Sequence, residues 1–62
     1  MKVIAIFSVM SGVLVKVVGP FHSYTQIASY LEKHKFVKRY PNSPYQNAPY
    51  TERATVWSLE AP

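Results

Sequence analysis

Two runs of apolar residues open the chain and predict a strand hairpin. Residues 3–9 are dense in β-branched and aromatic side chains, which suit a pleated, buried strand. Residues 13–18 predict the return strand. Ser11 and Gly12 lie between the two runs and predict a turn, because Gly12 can adopt a positive φ.

The predicted return strand is apolar on both of its faces. Alternation places Val13, Val15 and Val17 towards the core. The same alternation places Leu14, Lys16 and Val18 on the opposite surface. Because that opposite surface is still rather apolar, we expect another subunit or a partner protein to cover it.

A capped helix is predicted after Pro20, which ends the strand because proline cannot donate to a β-ladder. Ser23 fits the N-cap of a capping box whose N3 residue is Gln26. The i, i+3, i+4, i+7 spacing of one helical face then holds Tyr24, Ile27, Ala28 and Leu31. These patterns predict a helix over residues 24–35.

The remaining residues predict short strands around a polar loop. Residues 36–40 are compatible with a short strand, and residues 54–59 predict a closing strand. Prolines, asparagines and tyrosines predict that residues 41–53 form an exposed loop. Trp57, in the closing strand, is expected to pack against the helix or at a subunit interface.

The predicted order of elements is β-β-α-β, with one extra short strand after the helix as an alternative. This order indicates an α+β fold, in which one helix packs on one face of a small antiparallel sheet. The 62 residues leave room for a single domain, residues 1–62. The open face of such a sheet is a candidate for contact with another molecule.

Composition bounds the size of the core. Hydrophobic residues make up 48% of the chain, which indicates a folded domain, and there is no cysteine to supply a disulfide. A core of this size contributes only about 3–5 kcal/mol net. A protein partner or self-association, for example as a homodimer, is therefore expected on physical grounds.

The apolar run after Lys2 invites comparison with a signal peptide or a membrane span. Lys16 interrupts the run, and it falls short of the roughly 20 residues that a spanning helix needs. No small-x-small cleavage pattern follows it. We therefore expect a cytoplasmic protein that does not contact a membrane.

The titratable residues do not form a recognisable catalytic constellation. The three acidic residues are all glutamates, and His22 and His34 lie near opposite ends of the predicted helix. That separation prevents the two histidines of one chain from sharing a metal ion. The two glycines cannot form a glycine-rich phosphate loop. We expect no enzyme activity, no metal and no cofactor.

Basic residues suggest nucleic-acid binding as an alternative function. The formal net charge is +4, and aromatic residues lie among the basic residues of the densest cluster. The candidate residues are Lys33, Lys35, Lys38, Arg39 and Arg53. We favour a solvated helix end as the explanation of the same cluster, with Phe36 and Tyr40 at the edge of the core, because this net charge is modest.

Tyrosines in and beside the predicted loop are candidates for protein binding. Tyr40, Tyr45 and Tyr50 have the large, rigid side chains that favour protein contacts at low entropic cost. Alternatively, Tyr45 and Tyr50 fold back and cover the small core. Pro41 and Pro44 also have the P-x-x-P spacing of polyproline II ligands.

Three segments carry a family resemblance: Gly19-Pro20-Phe21, the helix from Ser23 to His34, and the end of the chain from Val56 to Pro62. With these segments the chain resembles small β-β-α-β accessory proteins encoded by bacteriophages. The resemblance implies a non-enzymatic factor in the host cytoplasm that binds a host protein and inhibits or redirects it. It assigns no functional residue.

Overall fold

The structure, a computed structural model, describes residues 1–38, 44–47 and 50–59. The described residues form a hairpin of two strands, one helix and three further strands. The elements are β1 (Lys2–Ser8), β2 (Leu14–Phe21), α1 (Tyr24–Lys33), β3 (Phe36–Val37), β4 (Tyr45–Asn47) and β5 (Glu52–Ser58). No helix in these ranges is long and apolar enough to cross a membrane.

The strands form a single antiparallel sheet in the order β2-β1-β5-β4-β3. The predicted α+β class is confirmed, since α1 packs against one face of this sheet. The exposed loop predicted over residues 41–53 is wrong in part. Residues Tyr45–Asn47 pair with β3 and β5 as a half-buried strand, and β5 already begins at Glu52.

The core lies between α1 and the sheet, and side chains of both elements fill it. Its buried members are Ile4, Ile6, Ile27, Leu31, Phe36 and Ala54. Partly buried neighbours, among them Val18, Tyr30 and Tyr45, pack against this cluster. The core is therefore one-sided: α1 covers one face of the sheet, and the described residues form no second layer on the other.

The predicted facing of β2 is wrong. Val18 lies opposite Ile4 and packs against the core, whereas Val13, Val15 and Val17 are 62%, 51% and 54% exposed. The sequence could not show which side chains of β2 face the core, because nearly every residue of this strand is apolar. Register shifts between Lys2 and Ile4 and between Ile6 and Phe7 also break a strict alternation.

Helix α1 begins at the predicted N-cap but ends at Lys33, two residues before the predicted end. The Ser23 side chain accepts a hydrogen bond from the backbone N–H of Gln26, and Gln26 Oε1 accepts one from the backbone N–H of His22. The reciprocal bond thus reaches one residue further back than a capping box predicts. Ile27 and Leu31 are buried, while Tyr24 is 68% exposed and Ala28 is also exposed.

Candidate interaction surface

The side of the sheet away from α1 carries a continuous set of side chains, called here the open face. Cross-strand register fixes its membership, because residues directly opposite each other in an antiparallel ladder share a face. The open face comprises Val3, Ala5, Phe7, Leu14, Val17, Val37, Gln46, Arg53, Thr55 and Trp57. It is the surface that the helix leaves uncovered.

Large apolar side chains of the open face are accessible to solvent. Leu14 is 49% exposed, Val17 54% and Trp57 57%. They come from three different positions on β2 and β5, so the exposure extends across the sheet instead of being confined to one residue. An apolar surface of this kind is typical of a contact site for another protein.

Trp57 is held in a defined orientation at one end of this face. Its indole Nε1 donates a hydrogen bond of 2.7 Å to Oγ1 of Thr55. The polar atom of the ring is therefore satisfied within the chain, and Val3 is the cross-strand neighbour of Trp57 on β1. The prediction that Trp57 packs against the helix is wrong, because this residue lies on the opposite side of the sheet. Packing at a subunit interface stays a prediction.

Arg53 occupies the other end of β5 on the same face. Its guanidinium lies over the ring of Phe7, 5.6 Å from the ring centroid, in a cation–π arrangement. Of the ten side chains of the open face, Arg53 is the one that carries a charge. The surface is thus mainly aliphatic and aromatic, with a single cation at one end of the central strand β5.

The predicted basic cluster does not converge on one face. Lys38 Nζ lies 5.8 Å from the ring centroid of Tyr45, which packs against the core on the α1 side. Arg53 lies on the opposite face, over Phe7. Lys33 belongs to the last turn of α1, and Lys35 follows the helix with a φ of 61°. Arg39 lies outside the described residues.

The three candidate tyrosines also occupy different environments. Tyr45 is half-buried on β4 and packs against the core, as the alternative of a tyrosine that covers the core expects. Tyr50 is 42% exposed in the turn before β5 and has a φ of 67°. Tyr40, together with Pro41, lies outside the described residues.

The groups considered for chemistry are spread over the surface. His22 precedes the N-cap of α1, and His34 is its C-cap, with the imidazole 4.3 Å from the ring centroid of Tyr30. Within the described ranges no three metal-ligating side chains come together, and no pocket is formed. Glu32 and Glu52 lie on different elements, α1 and β5.

Residues of β1 and β5 that form the open face were not among the sequence candidates, apart from Arg53 and Trp57. Their signal was nevertheless present: Arg53, Thr55 and Trp57 alternate with Ala54 and Val56 in the closing strand. The side facing the core could only be chosen once the pairing of β5 with β1 was known.

No family model matches the chain, and comparisons with curated proteins and with solved structures likewise give no match. The resemblance to phage accessory proteins therefore stays a prediction. The geometry of the sheet is therefore the basis on which a function is proposed.

Proposed function

We propose that this chain is a non-enzymatic interaction protein that binds another protein through the open face of its sheet. The observation that carries the proposal is the 57% exposure of Trp57 on the face opposite the helix. Exposed tryptophan is costly to leave in water and is enriched at the energetic centres of protein interfaces. With Val17 and Leu14 on the same face, it forms an apolar surface suited to a protein partner.

The face of the sheet is a better candidate than its edge. The sheet that the described residues form has two edge strands, β2 and the two-residue β3. The longer one, β2, contains Lys16 and Pro20, and its pairing with β1 has two register shifts. Charges, prolines and bulges are the devices with which natural sheets prevent pairing by a further strand. A partner is therefore expected to pack on the open face instead of extending the sheet at β2.

The charge of the open face favours a protein over a nucleic acid. A single-strand binding surface combines several cations with freely accessible aromatic rings. Here Arg53 is the single cation of the face, and it lies over Phe7, so Trp57 is the remaining aromatic residue for stacking. Nucleic-acid binding is the second candidate function, and it has less support.

The proposed mode of action is coverage of a partner's surface, which inhibits or redirects that partner without chemistry. The resemblance to phage accessory proteins makes a host protein the expected target and the host cytoplasm the expected compartment. Neither expectation is needed for the surface argument, which depends only on the sheet.

A photocrosslinker tests the proposal. A benzophenone side chain replaces Val17 on the open face, and in a matched control it replaces Ser29, which is exposed on α1. After irradiation in a cell lysate, we expect nuclease-resistant protein adducts from position 17 and not from position 29. Adducts that nuclease digestion removes would identify a nucleic acid and contradict the proposal, as would no adduct at all.

A further inference from the structure

The open face is organised in three rows that run across the strands. Cross-strand pairs define each row, since β3, β4, β5, β1 and β2 are neighbours in this order in the sheet. The rows are Val37–Gln46–Arg53–Phe7–Leu14, then Thr55–Ala5–Val17, then Trp57–Val3. Arg53 and Trp57 thus lie in the two outer rows of the same strand, on either side of Thr55.

The central row is suited to close approach of another sheet. Ala5 is the smallest side chain of the face, and Thr55 and Val17 are short and β-branched. Two sheets that pack face to face lie about 10 Å apart, and small residues at the centre let larger ones interdigitate around them. The outer rows hold those larger side chains.

A second copy of this chain complements the face. Consider a twofold axis that lies between the two sheets, parallel to the central row and perpendicular to the strands. Rotation about this axis reverses the strand direction in the second copy and places each outer row over the opposite outer row. Each Trp57 then lies over Arg53 of the second copy, and each Val3 lies over Phe7 of the second copy. The central row packs on its own equivalent, so apolar side chains meet apolar side chains.

The arrangement also accounts for the lone charge of the face. One side of the Arg53 guanidinium is against Phe7 in its own chain. A planar guanidinium can stack on aromatic rings from both sides, and in the dimer the second ring is the indole of the other copy. A wholly aliphatic partner would desolvate the other side of this cation and add no interaction to the one with Phe7.

The size of the face is compatible with a dimer. Strands about 4.8 Å apart and about 3.3 Å per residue give the five strands, of 7, 8, 2, 3 and 7 residues, a face of roughly 400 Å² in projection. Side chains that stand out from the sheet raise its accessible area above that projection. A standard interface buries about 800 Å² on each copy, roughly one sixth of the 4691 Å² that the chain exposes.

From these relationships we infer that the occupant of the open face is a second copy of this chain, packed face to face in a twofold β-sandwich. The inference rests on the proposed function and names a second copy, in place of the host protein that the resemblance suggests, as the partner of this surface. Its specific content is the reciprocal contact between Trp57 of one copy and Arg53 of the other.

An exchange of the two residues tests that contact. Trp57→Arg places arginine over arginine in the dimer and should weaken dimerisation roughly tenfold or more, because two cation–π contacts are lost. The double variant with Arg53→Trp and Trp57→Arg restores both contacts with their positions exchanged, so dimerisation should return. Ser29→Arg on α1 is the matched control, because it adds the same charge away from the face.

Sedimentation equilibrium from about 1 to 500 µM gives the dissociation constants, a range chosen to cover weak dimers, and circular dichroism verifies that each variant is folded. We expect a mass of about 14 kDa, twice the 7.1 kDa of one chain, for the wild type, the control and the double variant. A wild-type protein that is monomeric over the whole range overturns the inference. A folded double variant that dimerises no better than Trp57→Arg also overturns it.

Isotope labelling separates this inference from the proposed function. A mixture of ¹⁴N and ¹⁵N chains with the photocrosslinker at position 17 should give mixed-mass adducts of two chains. Adducts with a different protein alone would overturn the second-copy inference and leave the interaction surface standing. The absence of protein adducts would overturn both.

Discussion

The indole of Trp57 donates a hydrogen bond to Thr55, two residues earlier on the same strand and the same face of the sheet. This bond orients a large aromatic side chain along the strand while leaving it 57% exposed. Fixing the ring before binding reduces the entropy that an interaction must offset. The pair therefore suits a preformed contact surface.

Removing the acceptor should free the indole. Thr55→Val keeps the β-branched shape and deletes Oγ1, whereas Thr55→Ser keeps the hydroxyl and serves as the control. We expect Thr55→Val to lower the steady-state fluorescence anisotropy of Trp57 and to reduce the unfolding free energy by about 1 kcal/mol. Equal anisotropy in Thr55→Val and the wild type would show that the hydrogen bond does not orient the ring.

Asn47, the last residue of β4, is hydrogen-bonded to Thr51 and to Glu52, the first residue of β5. Its Oδ1 accepts hydrogen bonds from the backbone N–H groups of Thr51 and Glu52, at 3.0 and 2.9 Å, and its Nδ2 donates to Oγ1 of Thr51. Asn47→Ala should lower the unfolding free energy by about 1–2 kcal/mol, because the part-buried backbone N–H of Glu52 and the exposed one of Thr51 both lose their acceptor. Asn47→Asp keeps the acceptor and should cost less. Urea unfolding measures both variants, and equal losses would contradict this role of the side chain.

Gly19 and Gly12 both have positive φ, 145° and 72°, but their surroundings differ. A Cβ at position 19 would meet Val3 Cγ1 at 3.0 Å and Lys2 O at 3.1 Å, whereas a Cβ at position 12 would meet nothing within 4 Å. Gly12→Ala should therefore cost about 1 kcal/mol of backbone strain, and Gly19→Ala about 2–3 kcal/mol. Thermal unfolding compares the two, and a larger loss at position 12 would contradict the crowding at position 19.

The residue after the C-cap of α1 is a lysine in the left-handed region, where glycine is preferred. Lys35 has a φ of 61°, and its backbone N–H donates to the carbonyl of Glu32. Lys35→Gly should raise the unfolding free energy by about 1 kcal/mol because it relieves this strain. Lys33→Gly removes the same side chain at the last residue of the helix and should lower the unfolding free energy, by at most about 1 kcal/mol. Chemical denaturation should thus move the two midpoints in opposite directions.

The hairpin, the capped helix and the closing strand could be predicted from the sequence because each has a local cause. Because β2 is rich in valine, apolar and polar residues do not alternate along it. The side of β2 that faces the core could therefore be identified only from its pairing with β1. Tyr45–Asn47 are strand residues through their pairing with β3 and β5, although Asn47 is of a type depleted in strands and prolines lie close by in the sequence. An open face was predicted, but its residues could not be named for the same reason: its membership is a property of register between distant segments.

Two aliphatic truncations distinguish the core from the open face. Ile6 is 1% exposed under α1, so Ile6→Ala should cost about 2–5 kcal/mol at any protein concentration. Val17 is 54% exposed in one chain, so Val17→Ala should cost less than about 1 kcal/mol where the protein is monomeric.

In a dimer that covers Val17, the cost of Val17→Ala should grow with protein concentration, because burial is then coupled to association. Unfolding measured at about 2 and about 200 µM, either side of a micromolar dissociation constant, separates the two behaviours. A concentration-independent cost for Val17→Ala would mean that the open face is not covered by a second copy.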